Sequence, residues 1–314
     1  MKKKHLKGNI IRIERSSIHD GQGLRTVIFL KGCQLSCPWC STPESQSFEF
    51  EKGYDQRLCT ACGRCIESCP ENAITLSDDG LGVITDRDKC VGCFRCFEVC
   101  QANAVKKYGF TMTVDDLMKE ISKDEIFYFH SGGGITLSGG EPLCQPDFCA
   151  ALLEKCKING IHTALESSLY TPYSSLDTVL PWLDHLYADL KHMDNQMHTL
   201  WVGASNQTTI DNLIKADQTS YHFGEIIRIP LIPGYNDTDS NLEATLGFCT
   251  KLKKIKEIEL LPYHRLGSDT YRLLGLDYRC RDLLPPSEEH VKERAEFMNS
   301  LLTGIPIRSG SEIT

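Results

Sequence analysis

Short apolar stretches recur along most of the chain and alternate with helix-length amphipathic segments. The apolar stretches have the length and the Val, Ile and Leu content of buried strands. The predicted strands are 24–31, 134–138, 161–166, 185–190, 225–232 and 255–263. The predicted helices are 114–123 (N-cap Thr113), 146–159, 174–183, 208–217, 242–253 and 287–302. This alternation indicates βαβ units and a parallel sheet, either open or closed into a barrel.

One segment breaks the alternation. From about residue 48 to residue 107 the chain consists of short, cysteine-dense pieces joined by turns such as Asp78-Asp79-Gly80. We therefore expect a small inserted domain at 48–107, with 1–47 and 108–314 forming the two parts of the α/β domain.

Composition excludes several classes of protein. A chain of 314 residues with 41% hydrophobic and 24% charged residues is ordinary for a soluble globular protein. The net charge of −8 argues against a nucleic-acid surface, and no apolar run approaches the roughly 18 residues of a membrane span. The basic start 1–5 is followed by 6–12, which lacks the apolar region of a signal peptide. We expect a cytoplasmic protein with neither a nucleic-acid nor a membrane partner.

Cysteine is the exceptional residue. The chain contains 16 cysteines, of which eleven lie between Cys33 and Cys100 in three regularly spaced groups. A reducing cytoplasm disfavours disulfides, so metal or cluster ligation is the better interpretation of these groups. The other five have no ligand spacing and are expected to be buried small apolar residues: Cys144, Cys149, Cys156, Cys249 and Cys280.

The first group, Cys33-x3-Cys37-x2-Cys40, follows the first predicted strand. Three thiolates on a four-iron cluster leave one iron open, and an open metal position is typical of a reactive site. A structural zinc site is the alternative, with His5 or His19 as the fourth ligand.

The second and third groups each have the C-x2-C-x2-C-x3-C spacing of two-cluster bacterial ferredoxins. In that arrangement the fourth cysteine of each run binds the other cluster. The two predicted ligand sets are therefore Cys59, Cys62, Cys65 with Cys100, and Cys90, Cys93, Cys96 with Cys69. Gln101 stands where the pattern usually has proline, which removes no ligand.

With Trp39 before its third cysteine, the first group resembles the motif of the radical S-adenosylmethionine (SAM) superfamily. The resemblance implies that the open iron chelates SAM. It also implies that an electron from the cluster cleaves SAM into methionine and a 5′-deoxyadenosyl radical, which abstracts a hydrogen atom.

Further motifs at predicted strand ends fit the same family. Ser131 to Pro142 contains the sequence Gly139-Gly140-Glu141, which by itself also fits a tight turn. The resemblance implies that this backbone receives the SAM amino group, that Lys191 meets the carboxylate, and that His264 bonds the adenosine. It further implies a monovalent cation near Glu166 and Asp189. The full set of implied SAM contacts is Trp39, Cys40, Ser41, Gly139, Gly140, Glu141, Glu166, Asp189, Leu190, Lys191, Arg228 and His264.

The order of all these segments, including Ile18 to Thr26 and Ile227-Arg228-Ile229-Pro230, resembles the glycyl radical enzyme activating enzymes over nearly the whole chain. The resemblance implies a partial (β/α)6 barrel of TIM type with an inserted ferredoxin-like domain, three [4Fe-4S] clusters and oxygen sensitivity. The implied substrate is a glycine Cα hydrogen of a partner glycyl radical enzyme of the dehydratase, lyase or decarboxylase type. Flavodoxin or ferredoxin is the implied reductant.

Three departures from the family pattern are evident. Gln22 replaces a usual proline, Thr42 stands where asparagine is common, and Ser167-Ser168 replaces a threonine-rich segment. The C-terminal Ser309-Gly310-Ser311 lacks the arginine-flanked context of a glycyl radical loop, so the radical is expected on another protein.

Two other functions compete with this one. A radical SAM enzyme with auxiliary clusters could act on a small molecule or peptide, but the eight cysteines of the insert already form two full sets. A pure electron carrier would account for the insert but not for the α/β body or the three-cysteine loop.

Overall fold

The structure, a computed structural model, describes residues 6–301 and 304–309. The strands within these residues are β1 (Lys7–Ser17), β2 (Arg25–Leu30), β3 (Glu51–Tyr54), β4 (Ile74–Leu76), β5 (Val83–Thr85), β6 (Val105–Tyr108), β7 (Phe110–Thr113), β8 (Gly134–Gly139), β9 (His162–Ser167), β10 (His185–Asp189), β11 (Gly224–Leu231), β12 (Ile255–Pro262) and β13 (Ile307–Ser309). The helices are α1 (Arg64–Glu67), α2 (Arg95–Glu98), α3 (Val114–Ile121), α4 (Glu125–Ser131), α5 (Pro146–Ile158), α6 (Tyr173–Val179), α7 (Asn195–Val202), α8 (Gln207–Asp217), α9 (Asp239–Cys249), α10 (Ser268–Leu274) and α11 (Glu288–Ser300).

A nine-stranded sheet, in the order β13-β12-β11-β10-β9-β8-β2-β1-β7, forms the body of the described residues. The strands from β13 to β2 are parallel, whereas β1 and β7 are added antiparallel at one side. The sheet is therefore open, and each of its parallel strands ends at the same edge. Ligands of such sheets bind at that edge, which makes it the place to look for a site.

The six predicted parallel strands are confirmed as β2, β8, β9, β10, β11 and β12, with ends that differ by at most one residue. Three strands of the nine-stranded sheet were missed, as were the four short strands of the inserted segment. β1 mixes charged and apolar residues because it is only partly buried, and β7 and β13 are too short to give a periodic signal.

Predicted helices correspond to α3, α5, α6, α8, α9 and α11, and the Thr113 hydroxyl caps α3 by accepting a bond from the backbone N–H of Asp116. α6 ends earlier than expected because Pro181 follows and the chain tightens into a 3-10 turn. The predicted end of the last helix at Leu302 lies outside the described residues. Among the described residues, every helix is too short or too polar to span a bilayer.

The core lies between the parallel strands and the helices that cover them. Side chains such as Ile135, Leu165 and Ile227 are fully buried there. Cys149, Cys156 and Cys249 belong to the same core and Cys280 to a second buried cluster, which agrees with their interpretation as small apolar residues. The expectation is wrong for Cys144, which is half-buried and whose thiol donates to Gln34 Oε1 at 3.0 Å. Burying this apolar surface stabilises the sheet that holds the strand ends in place.

The cysteine-dense segment forms two small sheets of its own, β3–β6 and β4–β5, together with the one-turn helices α1 and α2. β3 and β6 pair from Glu51 with Tyr108 to Tyr54 with Val105. The beginning and the end of the segment are thus hydrogen-bonded to each other where it leaves the main sheet.

Candidate active site

The loop that carries Cys33, Cys37 and Cys40 begins directly after β2 and packs on the turn after β8. The Gly140 N–H donates to the Leu30 carbonyl at 2.9 Å, and the Glu141 N–H donates to the Gly32 carbonyl at 2.8 Å. A Cβ at Gly140 would come within 2.3 Å of the Gly32 carbonyl oxygen, so only glycine permits this approach. The glycine-rich turn therefore fixes the position of the cysteine loop.

The three thiols of the loop lie close enough that their charges act on one another. Burial raises the pKa of Cys37 to about 12 and also raises the pKa values of Cys33 and Cys40. Thiols in such surroundings keep their protons at neutral pH unless a metal displaces them. One buried and two half-buried thiols that lie close together in one loop fit an iron-sulfur cluster.

Thr42 follows the last of these cysteines and occupies the position where the family pattern commonly has asparagine. Its hydroxyl donates to the Gly139 carbonyl at 3.1 Å and lies 3.8 Å from the Cys40 sulfur. Threonine thus supplies a polar link between the cysteine loop and the β8 turn.

Glu141 is fully buried, and its carboxylate accepts four hydrogen bonds. Ser167 Oγ donates at 2.7 Å, Ser168 Oγ at 2.6 Å, and the backbone N–H groups of Ser168 and Leu143 at 2.9 and 3.1 Å. Burial raises the pKa of Glu141, while these bonds oppose the increase. Glu141 therefore ties the β8 turn to the end of β9, and both serines serve this link.

Glu166 of β9 and Arg228 of β11, two of the predicted SAM contacts, form an ion pair with each other. The Arg228 guanidinium pairs with the Glu166 carboxylate, donates through Nε to Glu259 at 2.7 Å, and donates through Nη2 to the His19 carbonyl at 3.0 Å. Ser138 Oγ also donates to Glu166 at 2.6 Å. Burial raises the pKa of Glu166, and Arg228 opposes that increase.

Asp189 and Lys191 form a second ion pair at the end of β10, with Nζ and Oδ2 2.7 Å apart. The Lys191 side chain is only 10% exposed. Burial by itself would lower the pKa of Lys191, but the charge of Asp189 raises it, and the Cys37 and Cys33 sulfurs add to this effect once they are thiolates. Lys191 is therefore a fixed cation beside the cysteine loop.

The remaining predicted contacts differ in exposure. His264 follows β12 and is exposed, as is Ser41, whereas the Leu190 side chain is buried in the main core. Trp39 is only 9% exposed. The β12 loop also approaches the cysteine loop, since a Cβ at Gly267 would lie 2.5 Å from the Cys40 carbonyl oxygen.

Sequence reasoning missed an aromatic layer behind the cysteine loop. Tyr235 lies 4.8 Å from Trp39 and 5.0 Å from Trp201, measured between ring centroids. Tyr271 belongs to the same buried group, and its hydroxyl lies 3.5 Å from the Cys37 carbonyl oxygen. Tyr235 and Trp201 follow strands β11 and β10, so the rule that sites form at strand ends could have identified them.

The inserted segment contains two cavities, each lined by four cysteines that the spacing assigned to one cluster. One cavity is lined by Cys59, Cys62, Cys65 and Cys100. The other is lined by Cys69, Cys90, Cys93 and Cys96. Each cavity brings three cysteines of one run together with the fourth of the other, which is the donor set that a four-iron cluster requires.

The zinc alternative for the first group depended on His5 or His19. His5 lies outside the described residues, and His19 is exposed. Within the part of the chain that the structure describes, no three histidine, cysteine or acidic side chains are arranged to hold a single metal ion.

Family models match the chain over three ranges. The model of the radical SAM superfamily matches residues 89–247, a 4Fe-4S dicluster domain matches 58–105, and a 4Fe-4S single cluster domain matches 19–78.

Two curated proteins are similar in sequence to this chain over most of their length. The (2S)-3-sulfopropanediol dehydratase activating enzyme of Klebsiella oxytoca is 40% identical over 300 residues, which cover 93% of this chain and 94% of that protein. The isethionate sulfite-lyase activating enzyme of Oleidesulfovibrio alaskensis is 42% identical over 270 residues, which cover 85% and 87%.

A radical SAM methyltransferase from Sphaerobacter thermophilus shares the fold, with a TM-score of 0.52 at 13% identity over 96% of this chain and 76% of that one. The open parallel sheet is thus the partial barrel of this superfamily. The chain belongs to the radical SAM superfamily and, within it, to the glycyl radical enzyme activating enzymes.

Proposed function

We propose that Cys33, Cys37 and Cys40 hold the cluster at which this activating enzyme binds SAM. When bound, the cluster and SAM supply the radical that removes a Cα hydrogen from a glycine of the partner glycyl radical enzyme. The observation that carries the proposal is the meeting of three elements at one sheet edge: the three thiols of the loop, the Gly139-Gly140 turn and the Lys191 cation.

The residues around the loop have distinct proposed tasks. The Lys191 ammonium binds the SAM carboxylate, the Gly139-Gly140 backbone faces its amino group, and His264 bonds the adenosine. Glu141 and Arg228 act indirectly, because their bonds fix the ends of β8, β9 and β11. The aromatic layer with Trp39 excludes water from the buried side of the loop.

The protein carries further clusters in the segment 48–107, which we propose as a ferredoxin-like domain between 1–47 and 108–314. The cysteine sets that line the two cavities bind these two clusters. The domain relays electrons from flavodoxin or ferredoxin in the cytoplasm, or docks the reductant or the partner enzyme. A protein with three such clusters should keep its full iron content only when it is purified without oxygen, since the open iron is sensitive to oxygen.

A monovalent cation is a further proposal for the region of Glu166 and Asp189. Each carboxylate already pairs with a cation, Arg228 or Lys191, so a bound ion would share these oxygens. Asp189 is close enough to Glu166 for its charge to raise the pKa of Glu166. Dependence of SAM binding on potassium or sodium concentration would test this.

The decisive experiment is anaerobic reconstitution with iron and sulfide, reduction by dithionite, and quantification of 5′-deoxyadenosine after addition of SAM. We expect about twelve irons per chain and SAM cleavage in the native protein. Cys37→Ala should lose the cleavage and about four irons, whereas Cys144→Ala, which changes a cysteine outside all three groups, should retain both.

Either of two results would refute the proposal. A fully loaded protein that leaves SAM intact would instead be an electron carrier. If Cys37→Ala had the iron content and the SAM-cleaving activity of the native protein, the loop would not be what holds the reactive cluster.

A further inference from the structure

Tyr235 is held rigidly in the loop that follows β11. Its ring contacts three neighbours, with centroids 4.8 Å from Trp39, 5.0 Å from Trp201 and 5.1 Å from His192. The backbone N–H of Tyr235 donates to the Ile232 carbonyl at 3.0 Å, and the residue is only 2% exposed. Its hydroxyl group is therefore fixed in a buried position.

That hydroxyl has no hydrogen-bond partner among the described residues. The other tyrosines of the same layer differ: Tyr263 and Tyr278 join their hydroxyls at 2.5 Å, and the Tyr271 hydroxyl lies near the Cys37 carbonyl. Buried polar groups in native proteins almost always find a partner, so an exception needs a cause. Tyr235 is matched to a group that the polypeptide itself does not provide.

The neighbours of Tyr235 indicate what this group is. Cys37 and Lys191 are near enough for their charges to act on the phenol. Burial raises the pKa of Tyr235, so the phenol keeps its proton and can donate. Under the proposed function, both neighbours belong to the site of the reactive cluster and of the SAM carboxylate.

We propose that the Tyr235 hydroxyl donates a hydrogen bond to an anionic acceptor held at the Cys33–Cys40 loop, either a sulfur of the cluster or the SAM carboxylate. This inference rests on the proposed function of the loop. A donor to cluster sulfur stabilises the more negative, reduced cluster and raises its reduction potential. A donor to the carboxylate instead strengthens SAM binding.

Tyr235→Phe removes the hydroxyl and keeps the ring. Tyr278→Phe is the matched control, because it removes a paired hydroxyl from the same layer. In reconstituted holoprotein, the EPR signal of the loop cluster is identified as the one that SAM alters and that Cys37→Ala lacks. Its midpoint potential and the Kd of SAM are then measured for both variants.

If the acceptor is a sulfur, Tyr235→Phe lowers the midpoint potential of the loop cluster without SAM by about 59 mV. At a fixed applied potential, the ratio of reduced to oxidised cluster then falls about tenfold. If the acceptor is the carboxylate, the potential without SAM is unchanged and the Kd of SAM rises about tenfold. Unchanged values of both, or equal shifts in Tyr278→Phe, overturn the inference. Absence of any SAM-sensitive signal in the native protein overturns the proposed function instead.

Discussion

At the scale of single residues, Lys191 is the cation best placed to bind an anionic group at the cysteine loop. Lys191→Gln removes this charge and leaves Asp189 without its partner, so the site becomes negative. A hydrogen bond to a charged group contributes about 1.5–3 kcal/mol, so we expect the Kd of SAM to rise about 10- to 150-fold. Equilibrium dialysis of reconstituted protein measures this.

The exposed Lys251→Gln is the control for Lys191→Gln and should leave the Kd unchanged. Iron content should be native in both variants. An unaltered Kd in Lys191→Gln would show that another group binds the carboxylate.

Glu225 provides a second prediction at this scale, away from the site. It is fully buried at the start of β11, and neither carboxylate oxygen has a hydrogen-bond partner among the described residues. Burial, with Asp217 nearby, raises the pKa of Glu225 to about 8. The folded protein therefore keeps a proton that the unfolded chain loses above its lower pKa.

For an acid with a raised pKa, the free energy of unfolding falls as pH rises from the unfolded pKa to the folded one. Glu225→Gln removes this loss. We therefore expect the unfolding free energy of the variant minus that of the native protein to increase by about 2–3 kcal/mol from pH 6 to pH 8. Anaerobic urea denaturation at both pH values measures it, with the exposed Glu243→Gln as control. A difference independent of pH would contradict the prediction.

At the scale of elements, the turn after β8 positions the cysteine loop by close backbone approach. Gly140→Ala would place a Cβ 2.3 Å from the Gly32 carbonyl oxygen, so the loop or the turn must shift. We expect at least about a tenfold loss of 5′-deoxyadenosine formation, since small displacements of reacting groups can cost a hundredfold. The two clusters of the insert should remain loaded.

Gly247→Ala is the matched control for Gly140→Ala. This glycine lies within α9 and a Cβ there meets nothing within 4 Å. Alanine favours a helix interior by about 0.5–1 kcal/mol over glycine, so activity should be retained and stability slightly increased. Native activity in Gly140→Ala would show that the turn does not determine the loop position.

At the scale of the whole molecule, Lys31 joins the main sheet to the inserted segment. It follows β2 directly, and its fully buried ammonium donates to the carbonyls of Glu44 and Ser47 at 2.6 and 2.7 Å and pairs with Glu51 at 3.2 Å. Burial lowers the pKa of Lys31, while Glu51 opposes this. One side chain thus links the strand before Cys33 to the first strand of the insert.

Lys31→Met keeps most of the volume and removes the three interactions. We expect the free energy of unfolding to fall by about 3–5 kcal/mol, because the acceptors and Glu51 are left without their cation. Thermal unfolding under anaerobic conditions measures this, and the exposed Lys123→Met should change it by less than about 0.5 kcal/mol. A native melting temperature in Lys31→Met would mean that other contacts hold the insert in place.

The sequence by itself determined the parallel strands and the three cysteine groups. Both are local signals: a buried strand needs a run of apolar residues, and a cluster-binding loop needs thiols at fixed spacing. The positions of Gly140 and Lys191 at strand ends, and of Arg228 within a strand, followed from the same pattern.

Only the tertiary structure decided which of these residues bond to each other. The pairing of Glu166 with Arg228, the use of Ser167 and Ser168 by Glu141, and the buried Tyr235 depend on contacts between distant strands. Local periodicity carries no information about such partners, because neighbours in the sheet are set by chain crossover and side-chain packing. For the same reason β1, whose stability comes from pairing with β2 and β7, was invisible in the sequence.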